Sequence, residues 1–172
     1  MKRPAALPAA WVTLRILIVL NWVYAAVVLA ILIGLLSAEQ WTLAALGLSP
    51  SSNPGPMLLG MRAIAALGLV AVPLNLALLR RLAAMVETVR AGDPFVASNA
   101  LRLNMIAWIL LGQQLLSLAI GLIGKAVSTS AHPLHLNAGF SPSGWLAVLL
   151  TFVLARVFAE GTLMREDLEG MV

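Results

Sequence analysis

The chain contains no cysteine. Disulfides, thiolate nucleophiles, iron–sulfur clusters and cysteine-rich zinc sites are therefore excluded. Charge is scarce as well. Asp, Glu, Lys and Arg make up 10% of the 172 residues, where a soluble domain carries about 25%. Apolar residues make up 61%, and the mean hydropathy is +0.97. A water-soluble fold of this size has too much surface to cover with so few charges. Intrinsic disorder and collagen-like or disulfide-rich secreted architectures are excluded on the same grounds. The composition is that of an integral membrane protein. A net charge of +4 and a pI near 10.7 would suggest nucleic acid in a soluble chain. In a membrane protein, surplus Lys and Arg set orientation.

Four apolar stretches predict four spanning helices in an all-α, polytopic membrane domain covering residues 1–172: 11–36, 57–79, 105–123 and 142–158. A span needs about 20 residues to cross about 30 Å of hydrocarbon. The fourth reaches that length only when extended outward to Ser141, a good N-cap, and Pro142, which suits the first helical position. Lys2 and Arg3 resemble the start of a signal peptide. The apolar run behind them is too long for one, so the first stretch is read as a retained span.

Basic residues orient the chain. Lys2, Arg3 and Arg15, then Arg80, Arg81, Arg90 and Arg102, then Arg156 and Arg165 fall on one side; Arg62 and Lys125 fall on the other. Positive residues stay cytoplasmic. Both termini, the 80–104 loop and the 159–172 tail are therefore expected inside, and the 37–56 and 124–143 loops outside. The second helix has no breaker between Arg80 and Ala91. Leu82, Met85, Val86 and Val89 give it an amphipathic face. Read from Met57 to Ala91 it is about 52 Å long and extends into the cytoplasm. Pro73 is expected to kink it by freeing the Leu69 carbonyl. Gly92 fits the position past its end, with Pro94 following. Ser98 is the expected N-cap of the third helix, and an earlier start at Asp93–Pro94 is the alternative. Beyond the fourth span, Gly161 is expected to break the chain. Thr162 would then cap a short amphipathic helix with Leu163, Met164, Leu168, Met171 and Val172 on one face. Arg165, Glu166, Asp167 and Glu169 lie on the other.

Candidate chemistry is sparse. Asn21, Asn75, Gln113 and Gln114 are amides inside the spans. A buried amide in lipid needs a partner, so they are read as interhelical hydrogen bonds, or as a polar path or ligand pocket at mid-depth. No Asp, Glu or His lies near mid-depth, which weakens a proton relay or an ion-coupled transporter. Arg62 is read as snorkelling to the outer interface, and Arg156 as pairing with Glu160 one turn on. Ala26, Ala30 and Gly34 form one small-residue series and Ser117 with Gly121 another, which suit close helix packing. His132 and His135 share an outer loop with only Glu39 to assist, short of a zinc ligand set. No hydrolase elbow, phosphate-binding loop or zinc-protease helix is present. Neither enzyme activity nor a cofactor or metal is expected. The basic loop lacks the aromatic interleaving of a nucleic-acid surface. The middle segment carries four Arg and the tail is acidic, which is read either as attraction between these two inner segments or as two solvated faces, since exposed pairs contribute little.

Two segments carry a resemblance: "RAGDPFVASNALRLNMIAWILL", with Gly92, Pro94, Phe95, Asn99, Leu101 and Arg102, and "LARVFAEGTLMREDLEGMV", with Val157, Phe158, Gly161, Leu163, Arg165, Glu166, Asp167, Leu168 and Val172. Together with four spans and this length, they resemble domain-of-unknown-function family 2975, a group of small bacterial membrane proteins. The resemblance extends over essentially the whole chain. It implies a four-helix fold in a bacterial inner membrane and no assigned activity. It also implies a genetic neighbourhood with a Cro/CI-type helix-turn-helix regulator.

Physically, Gly92 and Pro94 reverse the chain, Phe95 anchors that turn, Gly161 supplies a second hinge, and Arg165 faces Glu169 one turn on. The leading expectation is thus a cytoplasmic surface for a soluble partner such as that regulator. Its residues are Gly92, Pro94, Phe95, Asn99, Arg102, Gly161, Arg165, Glu166, Asp167 and Glu169. The alternatives are a small-molecule or lipid-binding, permease-like protein using the intramembrane amides, and a structural subunit of a membrane complex.

Overall fold

A computed structural model of the chain describes residues 6–47, 54–93, 95–128 and 138–169, with side chains described from Ala10 onward and excluding those of 54 and 166–169. Helix accounts for 91% of the described residues, and no strand occurs among them. The elements are α1 (Ala6–Ser37), α2 (Glu39–Ala45), α3 (Pro54–Arg90), α4 (Ala97–Val127) and α5 (Pro142–Glu169). All but α2 are long and apolar enough to cross a membrane.

The helices outrun the spans read from hydropathy. α3 continues to Arg90, as the unbroken reading from Met57 to Ala91 expects, and α4 starts at Ala97, so the 80–104 segment is mostly helix. Ser98 is therefore inside α4 rather than its cap. Val96 precedes the helix, and its carbonyl accepts from the Asn99 N–H at 2.8 Å. Gly161 does not break the chain either: α5 runs through it to Glu169. Thr162 is inside the helix, its hydroxyl donating to the Phe158 carbonyl one turn back at 2.5 Å. A lone glycine costs a helix about 1 kcal/mol, too little to end one that is otherwise packed. The short helix α2 was read as loop, because its seven residues are too few to show a period. The start of α5 at Pro142 is as read.

The chain forms two compact units. The first comprises residues 1–20, 74–112 and 142–172, the second 21–73 and 113–141. Among the described residues, the seven basic ones assigned to one side from sequence fall in the first unit, and Arg62 and Lys125 fall in the second.

What the apolar sequence hid is which stripe of each helix is buried. In α5 the buried positions are Val148, Ala155 and Thr162; in α3 they include Leu58, Ala65, Val72 and Leu79. Both series step by seven. In α1, Leu14, Asn21 and Leu35 are buried at multiples of the same step. A seven-residue repeat is the seam of left-handed helix packing. The remaining faces stay apolar and open. Ile16, Val19, Trp22, Val23 and Ile33 of α1 are all more than half exposed. In water such a surface would drive aggregation; in hydrocarbon it is the solvent-facing side.

In the second unit, Leu35, Leu43 and Leu58 form a buried cluster with Ile31 and Met61 packed on it. It forms because Gly34 lets α2 fold back on α1: a Cβ at Gly34 would stand 2.5 Å from the Thr42 hydroxyl and 3.2 Å from its methyl. Ala26 and Ala30, of the same small-residue series, are exposed. The other series also does something different from helix packing. A Cβ at Gly121 would stand 2.6 Å from the backbone of Gly139. Ser117 Oγ accepts from the Gly139 N–H at 3.2 Å and lies 3.4 Å from its carbonyl. Ser117 and Gly121 thus seat the chain entering α5.

The Gly34→Ala variant is expected to lower the melting temperature of detergent-purified protein. Adding Thr42→Ala should recover part of the loss, because the nearest remaining atom is then the residue-42 Cβ at 3.5 Å. A coupling of about 0.5 kcal/mol or more in the double-mutant cycle is the expected reading; strict additivity would refute the contact.

Candidate functional site

The residues singled out by the two sequence motifs meet in the first unit. The reversal after α3 follows from Gly92, whose φ of 89° lies where only glycine is free of strain. The Gly92 N–H bonds to the Val89 carbonyl and the Asp93 N–H to the Thr88 carbonyl, both at 3.1 Å. That pair of bonds is the Schellman motif, and it satisfies carbonyls that the helix end would leave open.

Behind the turn, Asn99 is fully buried. Its Nδ2 donates to the Thr88 hydroxyl at 2.7 Å, which in turn donates to the Met85 carbonyl at 2.8 Å. Arg102 donates to Asn99 Oδ1 at 2.8 Å. One amide thereby ties the last turns of α3 to the first turn of α4. Burying it requires this full set of partners, since an unpaired amide there costs about 1–3 kcal/mol.

The end of α5 closes the cluster. Phe95 stacks on Phe158 with centroids 5.2 Å apart. A Cβ at Gly161 would come 3.5 Å from the Phe95 ring, an ordinary contact, so Gly161 supplies room rather than a hinge. Arg165 pairs with Asp93 and donates to the Phe95 carbonyl at 3.4 Å. The attraction expected between a basic middle segment and an acidic tail thus has reversed signs in this contact: the acid comes from the turn and the base from α5. Phe95 and Arg165 remain 45% exposed at the ring and the side chain, so the cluster also forms part of the surface. Of the other expected partner-surface residues, Gly92 is exposed and Arg102 half-buried. Pro94 and the side chains of Glu166, Asp167 and Glu169 lie outside the described residues, as does the Arg165–Glu169 pairing.

Three of the four intramembrane amides belong to the second unit. Asn21 is buried and donates to the Val72 carbonyl at 3.3 Å within the second unit. Gln113 and Gln114 belong to that unit, and Asn75 to the first. Gln114 Oε1 is buried and accepts no hydrogen bond from any described residue. Each unit also holds a cleft. One cleft, of about 340 Å³, is walled by Leu101, Asn104, Phe152, Ala155 and Arg156 in the first unit. The other, of about 230 Å³, is apolar and lies among Tyr24, Val28, Ile31, Met61 and Ala65 in the second.

Sequence reading underrated Arg62. It donates through Nε and Nη2 to the Leu35 carbonyl, at 3.0 and 2.7 Å. Its Nη2 also lies 3.3 Å from the Glu39 carboxylate. It caps the end of α1 and its side chain is one-third exposed (33%). The signal available was its place five residues into an apolar run. Arg156 does pair with Glu160, at 2.5 Å. His132 and His135 lie outside the described residues. Among those described, no three His, Asp or Glu side chains gather as a metal site would require. Comparison with protein-family models, curated proteins and solved structures finds no match.

Asn99→Ala is expected to destabilise the purified protein by about 1–3 kcal/mol. Asp93→Asn and Arg165→Gln should each stay within about 1 kcal/mol, as exposed pairs do. Thermal unfolding of the three variants checks this; equal losses would mean that the ion pair, not the amide, holds the turn.

Proposed function

We propose that this chain is a four-span protein of a bacterial inner membrane with both termini cytoplasmic, and that its turn cluster presents a docking surface to a soluble regulatory protein. The observation that carries the reading is the meeting of the two motif segments. Asp93 and Phe95 of one are in contact with Phe158, Gly161 and Arg165 of the other. Two distant stretches of sequence thereby build one patch, exposed at Phe95 and Arg165. A patch that joins an aromatic ring to a cation suits a protein partner. The positive-inside distribution supports a cytoplasmic position for it. The resemblance of both segments to family 2975 supports a helix-turn-helix regulator as the partner, by analogy alone.

Two measurements test the reading. The chain has no native cysteine, so single-cysteine labelling is unambiguous. Cysteine at Ser98 should be protected from an impermeant reagent in intact cells and labelled in inverted vesicles, and cysteine at Ser51 should behave oppositely. Affinity purification from membranes should enrich the neighbouring regulator, and charge reversal at Glu166 and Asp167 should abolish the enrichment. Labelling of Ser98→Cys from outside, or enrichment indifferent to the charge reversal, would count against it.

A further inference from the structure

The geometry points to a binding site for an anionic phospholipid in the cleft between the start of α4 and the later turns of α5, with Arg156 and Asn104 holding the headgroup phosphate. Ala100, Leu101 and Asn104 form one wall, and Phe152, Ala155, Arg156 and Ala159 the other. The cleft's volume, about 340 Å³, is at the lower end of the range for ligand pockets, about 300–1,000 Å³. All seven residues belong to one compact unit.

Depth comes from the length of α4. Asn104 and Lys125 bracket a stretch of α4 without a charged residue, and 21 steps of 1.5 Å separate them by about 31 Å. That matches the hydrocarbon thickness of about 30 Å, so Asn104 stands at the level where headgroups begin. Arg156 shares the cleft and therefore that level. Leu101 and Phe152 supply apolar wall beside the polar pair; Leu101 is 68% exposed. The ligand that fits is an amphiphile with a negative head, and a soluble anion would leave the apolar wall unused.

Electrostatics favour an anion. The Arg156 side chain is 78% exposed and presents a planar fork of five N–H donors. Its Nη2 pairs with Glu160 one turn on, and an exposed pair of this kind is weak. The first turn of α4 contains no acidic residue, so the positive end of its dipole is not offset locally. Basic pockets between spanning helices recognise lipid phosphates by the same combination.

The test is native mass spectrometry of the detergent-released full-length protein titrated with phosphatidylglycerol, phosphatidylcholine or soluble glycerol phosphate. Phosphatidylglycerol should be retained preferentially, and glycerol phosphate should not displace it. Arg156→Gln should weaken phosphatidylglycerol retention about fivefold and leave phosphatidylcholine unchanged. Glu160→Gln should strengthen retention by freeing the guanidinium. Lys125→Gln, which removes the same charge in the other unit, should change it by less than about twofold. Equal losses for Arg156→Gln and Lys125→Gln would overturn the site in favour of general charge attraction. Competition by glycerol phosphate would overturn the lipid as its ligand. If Arg156→Gln lowers the melting temperature, Leu101→Trp replaces it, filling the cleft from an exposed position. Loss of phosphatidylglycerol then supports the site, and full retention refutes it.

Discussion

A backbone carbonyl or N–H left without a partner away from water costs free energy comparable to a lost hydrogen bond, and more in hydrocarbon, and several of the described polar contacts answer that constraint. Helices satisfy their own interiors, so the demand falls on their ends. At the end of α1, Arg62 donates two hydrogen bonds to the Leu35 carbonyl. At the end of α3, the turn through Gly92 supplies the Gly92 and Asp93 N–H groups to Val89 and Thr88. Before α5, Ser117 takes up the Gly139 N–H. In the first two cases a residue that hydropathy counts against a span closes a helix end; in the third, Ser117 fixes the segment that leads into α5.

The same constraint accounts for the economy of charge. With so few ionisable residues, two of the described pairs join separate elements, while Glu87–Arg90 and Arg156–Glu160 lie within single helices. Arg62 bridges to Glu39 at the start of α2, and Arg165 to Asp93 in the α3–α4 turn. Exposed pairs of this type contribute little to stability, so their effect is to select which segments meet. Buried Asn99 is different in kind, since it links Thr88 and Arg102 through one amide and an unfilled partner there would be costly. The contacts that hold Phe95 and Arg165 in this turn also leave part of each exposed.

Much of this was legible in advance and some was not, for definite reasons. Pro142 at the start of α5 and Gly92 past the end of α3 were readable because their backbone preferences are local. The continuation of α5 through Gly161 was not, because a helix breaker is a weak local preference that packing against Phe95 and Phe158 overrides. Ser117 and Gly121 looked like a helix-packing pair, since spacing reports which residues share a face and not what lies against it. The sign of the contact between turn and tail was also unreadable. Net charge favours an acidic tail on a basic loop, whereas distance selects Arg165 and Asp93.

The sequence by itself determined an all-helical membrane protein with four spans, because the chain's apolar content and run lengths leave no soluble alternative. It also determined how the charges divide along the chain. Tertiary structure alone decided which stripe of each helix is buried, since in a helix apolar on every face periodicity has no contrast to report. The steps of seven at Val148, Ala155 and Thr162 and at Leu58, Ala65, Val72 and Leu79 became visible only once the helices were packed. So did the cleft holding Asn104 and Arg156, because its two walls are some fifty residues apart in sequence and only packing brings them together.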